Sequence, residues 1–149
     1  MAQMRLSVST LDQIGAAALF ELPNSYFDKI RNIYEARRDA AYDEISKIPG
    51  VTCQKPGGAF YMMIDLPVND AEEFLMFMLT EFRDEGETVM FAPAAGFYAT
   101  EGLGKSEIRI AYVLKEEDMR RACSLIKKGV AAYNKKRELL NARIWRNQL

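Results

Sequence analysis

The chain has 149 residues, 49% of them hydrophobic and 28% charged, and its 20 basic and 21 acidic side chains leave a formal net charge of −1. This is the length of one domain with enough apolar side chains for a core, and the near balance of charge gives no general attraction for nucleic acid or an anionic membrane. Histidine is absent, which excludes His triads, His general bases and His metal ligands, and the two cysteines, Cys53 and Cys123, have no metal-ligand spacing.

In chain order, residues 1–10, MAQMRLSVST, lack the apolar core of a signal peptide. No run of roughly 18 apolar residues follows. With two distant, unpaired thiols, the expectation is a cytoplasmic protein with no membrane partner. Ser9-Thr10 before Asp12-Gln13 caps a helix running through Ile14 to Phe20, and Pro23 breaks it. Asn24 or Ser25 then starts a long helix from about Tyr26 to Ile48, about six turns. Its apolar stripe is Phe27, Ile30, Tyr34, Ala41, Ile45 and Ile48, its centre carries Arg37-Arg38-Asp39, and Pro49-Gly50 ends it.

A short strand, Val51–Cys53, precedes the turn Lys55-Pro56-Gly57-Gly58. The run Ala59 to Leu66 shows little alternation and reads as a central strand covered on both faces. Asn69 or Asp70 caps a helix with Ala71, Phe74, Leu75, Met78, Leu79 and Phe82 on its apolar side, closed by Gly86. Within it, Phe74, Met76, Phe77 and Met78 suggest burial on more than one side. Val89-Met90-Phe91-Ala92 is a strand that stops at Pro93. After a Gly-rich loop, Glu107 to Tyr112 alternates, with Ile108, Ile110 and Tyr112 on one face and Glu107, Arg109 and Ala111 on the other. An acidic start at Lys115-Glu116-Glu117-Asp118 opens a last helix with Met119, Ala122, Ile126, Val130 and Tyr133 as its stripe. A basic tail containing Trp145 follows and either continues the helix or frays.

This order predicts an α+β, layered fold: a small mixed or antiparallel sheet with helices on one face. The division is one domain over residues 1–149. N-terminal helices, the long one included, occupy 1–48, a small α/β domain 49–135 and a tail 136–149.

Gly102-Leu103-Gly104-Lys105-Ser106 is not a phosphate loop. Ala99 stands where the first Walker glycine belongs, and a strand rather than a helix follows. Glu107 likewise breaks the GxGxxG spacing. Arg109, in a strand and opposite an apolar face, is either a solvated residue on a wet sheet face or an anchor for a carboxylate.

Three ordered motifs carry a resemblance. Pro56-Gly57-Gly58-Ala59-Phe60-Tyr61 is similar to the PxGAFY signature of fold-type I pyridoxal-phosphate aminotransferases. Val89 to Pro93 with Gly96-Phe97 and Ile108-Arg109-Ile110-Ala111-Tyr112 resembles their strand-loop-strand block. Tyr34 with Arg37-Arg38-Asp39 resembles the YxxRRD of their interdomain helix. The subgroup it resembles most is bacterial aspartate aminotransferase, over about Met4 to Tyr133, the family's C-terminal small domain.

The resemblance implies transfer of an amino group from an L-amino acid, aspartate by analogy, to a 2-oxo acid through pyridoxal phosphate. It implies that Arg109 grips the substrate α-carboxylate, with Gly58 and Phe60 lining the substrate entrance. Arg5 lies in a region that approaches the side-chain carboxylate pocket in some relatives. Ala94-Ala95 follows Pro93 where many relatives have Pro-Gly. The family's cofactor-bearing lysine, its pyridine-nitrogen aspartate and its phosphate loop have no counterpart in these motifs. The cofactor is therefore expected in the full-length protein and not on this chain alone, which is expected to be inactive. The other functional reading is a non-catalytic carboxylate-binding or interaction module built on the same domain. The family is homodimeric. For the chain alone, apolar surface near Ala16 and Tyr34 suggests a non-native oligomer, and a clean monomer in sedimentation counts against it.

Overall fold

The structure, a computed structural model, describes residues 8–146. The chain divides into two units, Met1–Ile33 and Tyr34–Leu149. In the first, the Ser9 hydroxyl accepts from the Asp12 N–H at 3.2 Å and caps α1 (Thr10–Ala17). The chain then tightens into a 3₁₀ turn over Ala18–Glu21 rather than staying α-helical to Phe20. Helix α2 (Asn24–Ile45) starts directly after Pro23 and belongs to the first unit up to Ile33. Arg31 and Asp28 pair on its surface at 2.9 Å. It stops three residues earlier than its apolar stripe suggests, because Ser46 to Gly50 form a turn ending at Gly50 with φ +81°.

The second unit is built on an antiparallel four-stranded sheet in the order β1-β2-β4-β3. The strands are β1 (Thr52–Cys53), β2 (Tyr61–Asp65), β3 (Ala92–Pro93) and β4 (Glu107–Ala111). β2 and β4 pair in the register Tyr61↔Ala111, Met63↔Arg109 and Asp65↔Glu107. Met62, Ile64, Ile108 and Ile110 point to one face and are buried against Ala41 and Ile45 of α2, Phe74 and Met78 of α3 (Ala71–Thr80), and Cys123, Ile126 and Val130 of α4 (Glu116–Arg146).

β2 is central, but the expectation that both its faces are covered is wrong. Tyr61, Met63 and Asp65 are exposed and alternate strictly with buried Met62 and Ile64. Tyr61 and Met63 mask the alternation because they are apolar yet stand on the open face beside Arg109. The strand expected over Val89–Ala92 is also shorter. Only Ala92 and Pro93 pair with β4, at Arg109 and Ile108. Pro93 is tolerated because β3 is an edge strand.

Asp70 caps α3, its Oδ1 accepting from the N–H groups of Glu72 and Glu73 at 2.9 and 3.2 Å. α3 ends at Thr80, and Gly86 serves a later turn with φ +83°. Within α3, Phe74 and Met78 are buried, whereas Met76 is exposed, so burial is one-sided. Residues 136–146 are helical and complete α4, with Trp145 exposed. No described helix is long and apolar enough to cross a membrane.

Candidate functional site

The open face of the sheet carries Tyr61, Met63 and Asp65 from β2 and Glu107, Arg109 and Ala111 from β4. Arg109 stands at its centre, half-buried. Its guanidinium carbon lies 4.6 Å from the ring centroid of Tyr61 and 4.5 Å from that of Phe97, so the planar cation is held between two aromatic rings. Tyr61 reaches it from the neighbouring strand. Phe97 reaches it from a 3₁₀ turn (Ala95–Phe97) that follows β3. Among the described residues, no carboxylate lies within ion-pair distance of Arg109. Its donors are thus steered by stacking and not consumed by an internal acid.

Phe60 packs against the other side of this array, its ring centroid 4.3 Å from that of Tyr61 and 6.5 Å from that of Tyr34. Phe60 and Arg109 therefore meet through Tyr61. Gly58 lies two residues upstream, exposed, with open space where a Cβ would be. The loop is suspended from buried Tyr112, whose hydroxyl donates to the carbonyls of Gly58 at 2.9 Å or Ala59 at 3.1 Å. Ala59, one of the two residues whose carbonyls it reaches, adopts φ +60°, a left-handed conformation. Arg38 of α2 donates to the Pro56 carbonyl at 3.2 Å, and Asp39 pairs with both Arg38 and Lys55. Those two cations, Arg38 first, hold the Asp39 carboxyl below the usual carboxylate range. Arg37 donates to the Val113 carbonyl at 2.9 Å. The Arg37-Arg38-Asp39 run is therefore a fastener that fixes the 55–60 loop and the end of β4.

The acids on the open face are occupied. Tyr98 Oη donates to Glu107 Oε2 at 2.6 Å, and Ser106 Oγ donates to Asp65 Oδ1 at 2.6 Å. The bond to Glu107 raises the Tyr98 hydroxyl above the ordinary phenol range. Gly104 makes room for this. With φ +68°, a Cβ there would sit 2.4 Å from the Tyr98 ring.

Beside Arg109, an apolar cavity of about 330 Å³ opens between Met90-Phe91, β4 and α4, with Met119, Cys123 and Ile126 among its walls. Burial pushes the Cys123 thiol up to about 12 and the Cys53 thiol up to about 11, which removes both as thiolate nucleophiles. Among the described residues, no group of acids and thiols is arranged to hold a metal.

Sequence reasoning singled out Arg109, Gly58 and Phe60 and missed Tyr61 and Phe97 as partners of the cation. The signal was present in the register. Tyr61 is two residues from Met63, the cross-strand partner of Arg109, and shares its face. Phe97 stood in the strand-loop-strand block with Arg109, but nothing in its local pattern pointed to a contact with the cation. Arg5 lies outside the described residues.

Comparison with known proteins gives a consistent result. The family model for aminotransferase class I and II matches residues 1–126. A protein named "probable aspartate/prephenate aminotransferase" from Aquifex aeolicus is 35% identical over 126 residues, which is 83% of this chain and 31% of that protein. The aspartate aminotransferase of Bacillus subtilis is 27% identical over 133 residues, again 31% of its length. The chain thus spans about a third of the length of these relatives. An alanine aminotransferase from Pyrococcus furiosus superposes with a TM-score of 0.66 at 26% identity, covering 88% of this chain and 32% of that one. The α-aminoadipate aminotransferase of Thermus thermophilus, complexed with N-(5'-phosphopyridoxyl)-L-leucine, has the same fold, with a TM-score of 0.69 at 20% identity, covering 88% of this chain and 33% of its own.

Proposed function

We propose, from the premise that the chain belongs to the class I and II aminotransferases, that it supplies the substrate-carboxylate side of a transaminase active site. In this reading Arg109 holds the α-carboxylate of an L-amino acid, aspartate by analogy with the named relatives, and then of the 2-oxo acid acceptor. The observation that carries it is the geometry of Arg109: a guanidinium stacked between Tyr61 and Phe97 with no internal carboxylate partner among the described residues. A fixed guanidinium presents parallel donors to both oxygens of a carboxylate. The rings take away much of its rotational freedom before the ligand arrives, so the carboxylate is bound in one orientation. Phe60 and Gly58 border the approach, Phe60 through its contact with Tyr61 and Gly58 by leaving space.

The residues present fit the substrate better than the cofactor. Lys55, Lys105 and Lys128 are each ion-paired, with Asp39, Asp70 and Asp84. The Gly102-to-Ser106 loop packs Gly104 against the Tyr98 ring and bonds Ser106 to Asp65. Pyridoxal phosphate, when bound in the whole protein, supplies the electron sink for loss of the α-proton. What this chain contributes is the orientation of the carboxylate beside that chemistry. The 149-residue chain alone is expected to give no turnover of aspartate and 2-oxoglutarate with added pyridoxal phosphate, and measurable turnover would overturn that expectation.

The direct test is calorimetric titration of wild type and Arg109→Gln with 2-oxoglutarate, the Arg109 Nε–H resonance being followed by NMR in the wild type alone. Loss of hydrogen bonds to a charged group, about 1.5–3 kcal/mol, predicts that Arg109→Gln weakens binding by more than tenfold. Equal affinity in the wild type and Arg109→Gln would end the anchor reading.

A further inference from the structure

We infer that the hydroxyls of Tyr98 and Ser106 are positioning groups that hold Glu107 and Asp65, the two acids on the open sheet face, away from Arg109, and so keep its guanidinium open to a ligand carboxylate. The inference deepens the reading of Arg109 as a carboxylate anchor and rests on it.

Glu107 and Arg109 are two apart on β4 and point to the same face, which places their backbones about 7 Å apart. Side chains of that length reach each other easily. Asp65 is the cross-strand partner of Glu107 and diagonal to Arg109, whose own partner is Met63. Diagonal neighbours of this kind are also within reach of a long side chain. An arginine flanked by two same-face acids ordinarily pairs with one of them. Here neither does. Glu107 accepts from Tyr98 Oη at 2.6 Å, and Asp65 accepts from Ser106 Oγ at 2.6 Å.

Both donors come from one loop, between the turn at Phe97 and the start of β4, and Gly104 within it serves that arrangement. Gly104 lies under the Tyr98 ring at a place where any Cβ would collide with it, 2.4 Å from one ring carbon. The Ser106 carbonyl accepts from the Leu66 N–H at 3.1 Å, which fixes Ser106 against the end of β2. Phe97, immediately before Tyr98, is one of the two rings on Arg109. One loop therefore stacks on the cation and restrains the acids that would quench it. Without the restraints, an internal carboxylate would compete with the ligand carboxylate for the same donors.

The test uses Tyr98→Phe, which keeps the ring packed on Gly104 and removes only the hydroxyl. In ligand-free Tyr98→Phe, the Arg109 Nε–H resonance is expected to move downfield and exchange more slowly with water as Glu107 pairs with it. Affinity for 2-oxoglutarate is expected to fall about two- to fivefold, the range an exposed ion pair supplies. Adding Glu107→Gln to Tyr98→Phe is expected to return both readouts to the wild-type values, which a merely structural defect would not allow. An unchanged ligand-free resonance in Tyr98→Phe, or a change that Glu107→Gln fails to reverse, overturns the inference. If wild type and Arg109→Gln bind 2-oxoglutarate alike, it is the anchor reading that fails, and the ligand-free resonance still decides whether Tyr98 restrains Glu107.

Discussion

Arg109 owes its properties to side chains that lie far from it in sequence. Tyr61 and Phe97 sandwich the guanidinium, and each such contact at a partly exposed site contributes about 0.5–1 kcal/mol. Most of that value goes into orientation, since a free arginine side chain loses considerable rotamer entropy when it binds. Phe97→Leu keeps an apolar side chain in the turn but removes one π face. The expected outcome is faster Arg109 Nε–H motion in NMR relaxation and affinity for 2-oxoglutarate lowered about two- to fivefold, in line with one lost cation–π contact. Phe97→Tyr should retain both. Unchanged Arg109 dynamics in Phe97→Leu would show that the ring is only a neighbour.

At the scale of elements, α3 and α4 meet closely at a glycine. A Cβ on Gly129 of α4 would lie 2.3 Å from Met78 Sδ, and Met78 is fully buried with Phe74 beside it. Two effects oppose each other in Gly129→Ala. Alanine gains about 1 kcal/mol of helix propensity over glycine, while overpacking a closed core costs about 1–3 kcal/mol. Because Met78 has no exposed space to move into, the clash should win, and urea unfolding should show a net loss of up to about 2 kcal/mol. In a Met78→Val background the clash is gone, and the same Gly129→Ala change should become neutral or stabilising. A stabilising Gly129→Ala in the wild-type background would mean that Met78 repacks freely. The α3 start is governed more locally. Asp70 satisfies two free N–H groups, a local signal that narrowed the cap to Asn69 or Asp70 in the sequence and that the structure assigns to Asp70.

For the whole molecule, charge balance leaves stability to local pairs rather than to net repulsion. The Asp84 carboxyl, bridged by Lys128 and Arg121, lies below its ordinary 3.8, and the Glu44 carboxyl, beside Lys47 and Arg120, below its ordinary 4.5. A depressed carboxyl contributes stability above the unfolded value, and that stability is lost as pH falls through the folded one. The buried Cys123 thiol works at the other end. Raised from 9.0 to about 12, it keeps its proton folded while the unfolded chain sheds it, so stability falls as pH rises above 9.0. The melting temperature should therefore be flat between pH 4.5 and 9.0 and fall on both sides. Asp84→Asn should lessen the acid decline, and Cys123→Ala should delay the alkaline one. A melting temperature that rises above pH 9.0 would contradict the account of Cys123.

Much of this was legible in the linear chain because the physics behind it is local. Ser9 and Asp70 announce helix starts through their own oxygens, and the alternation of Ile108 and Ile110 places Arg109 on the opposite face without reference to any partner. The motifs around Pro56, Pro93 and Tyr34 carried the family resemblance for the same reason, as ordered short stretches. What the linear pattern misread was β2, where Tyr61 and Met63 are apolar residues on an open face, and the length of β3, where pairing ends although β-forming residues continue. Sequence determined that an arginine would stand opposite the apolar face of a small mixed or antiparallel sheet. Tertiary structure decided that this arginine is clamped and, among the described residues, without a carboxylate partner, because its rings and the hydroxyls that hold its rival acids come from a neighbouring strand and a folded-back loop, and only packing brings them to it.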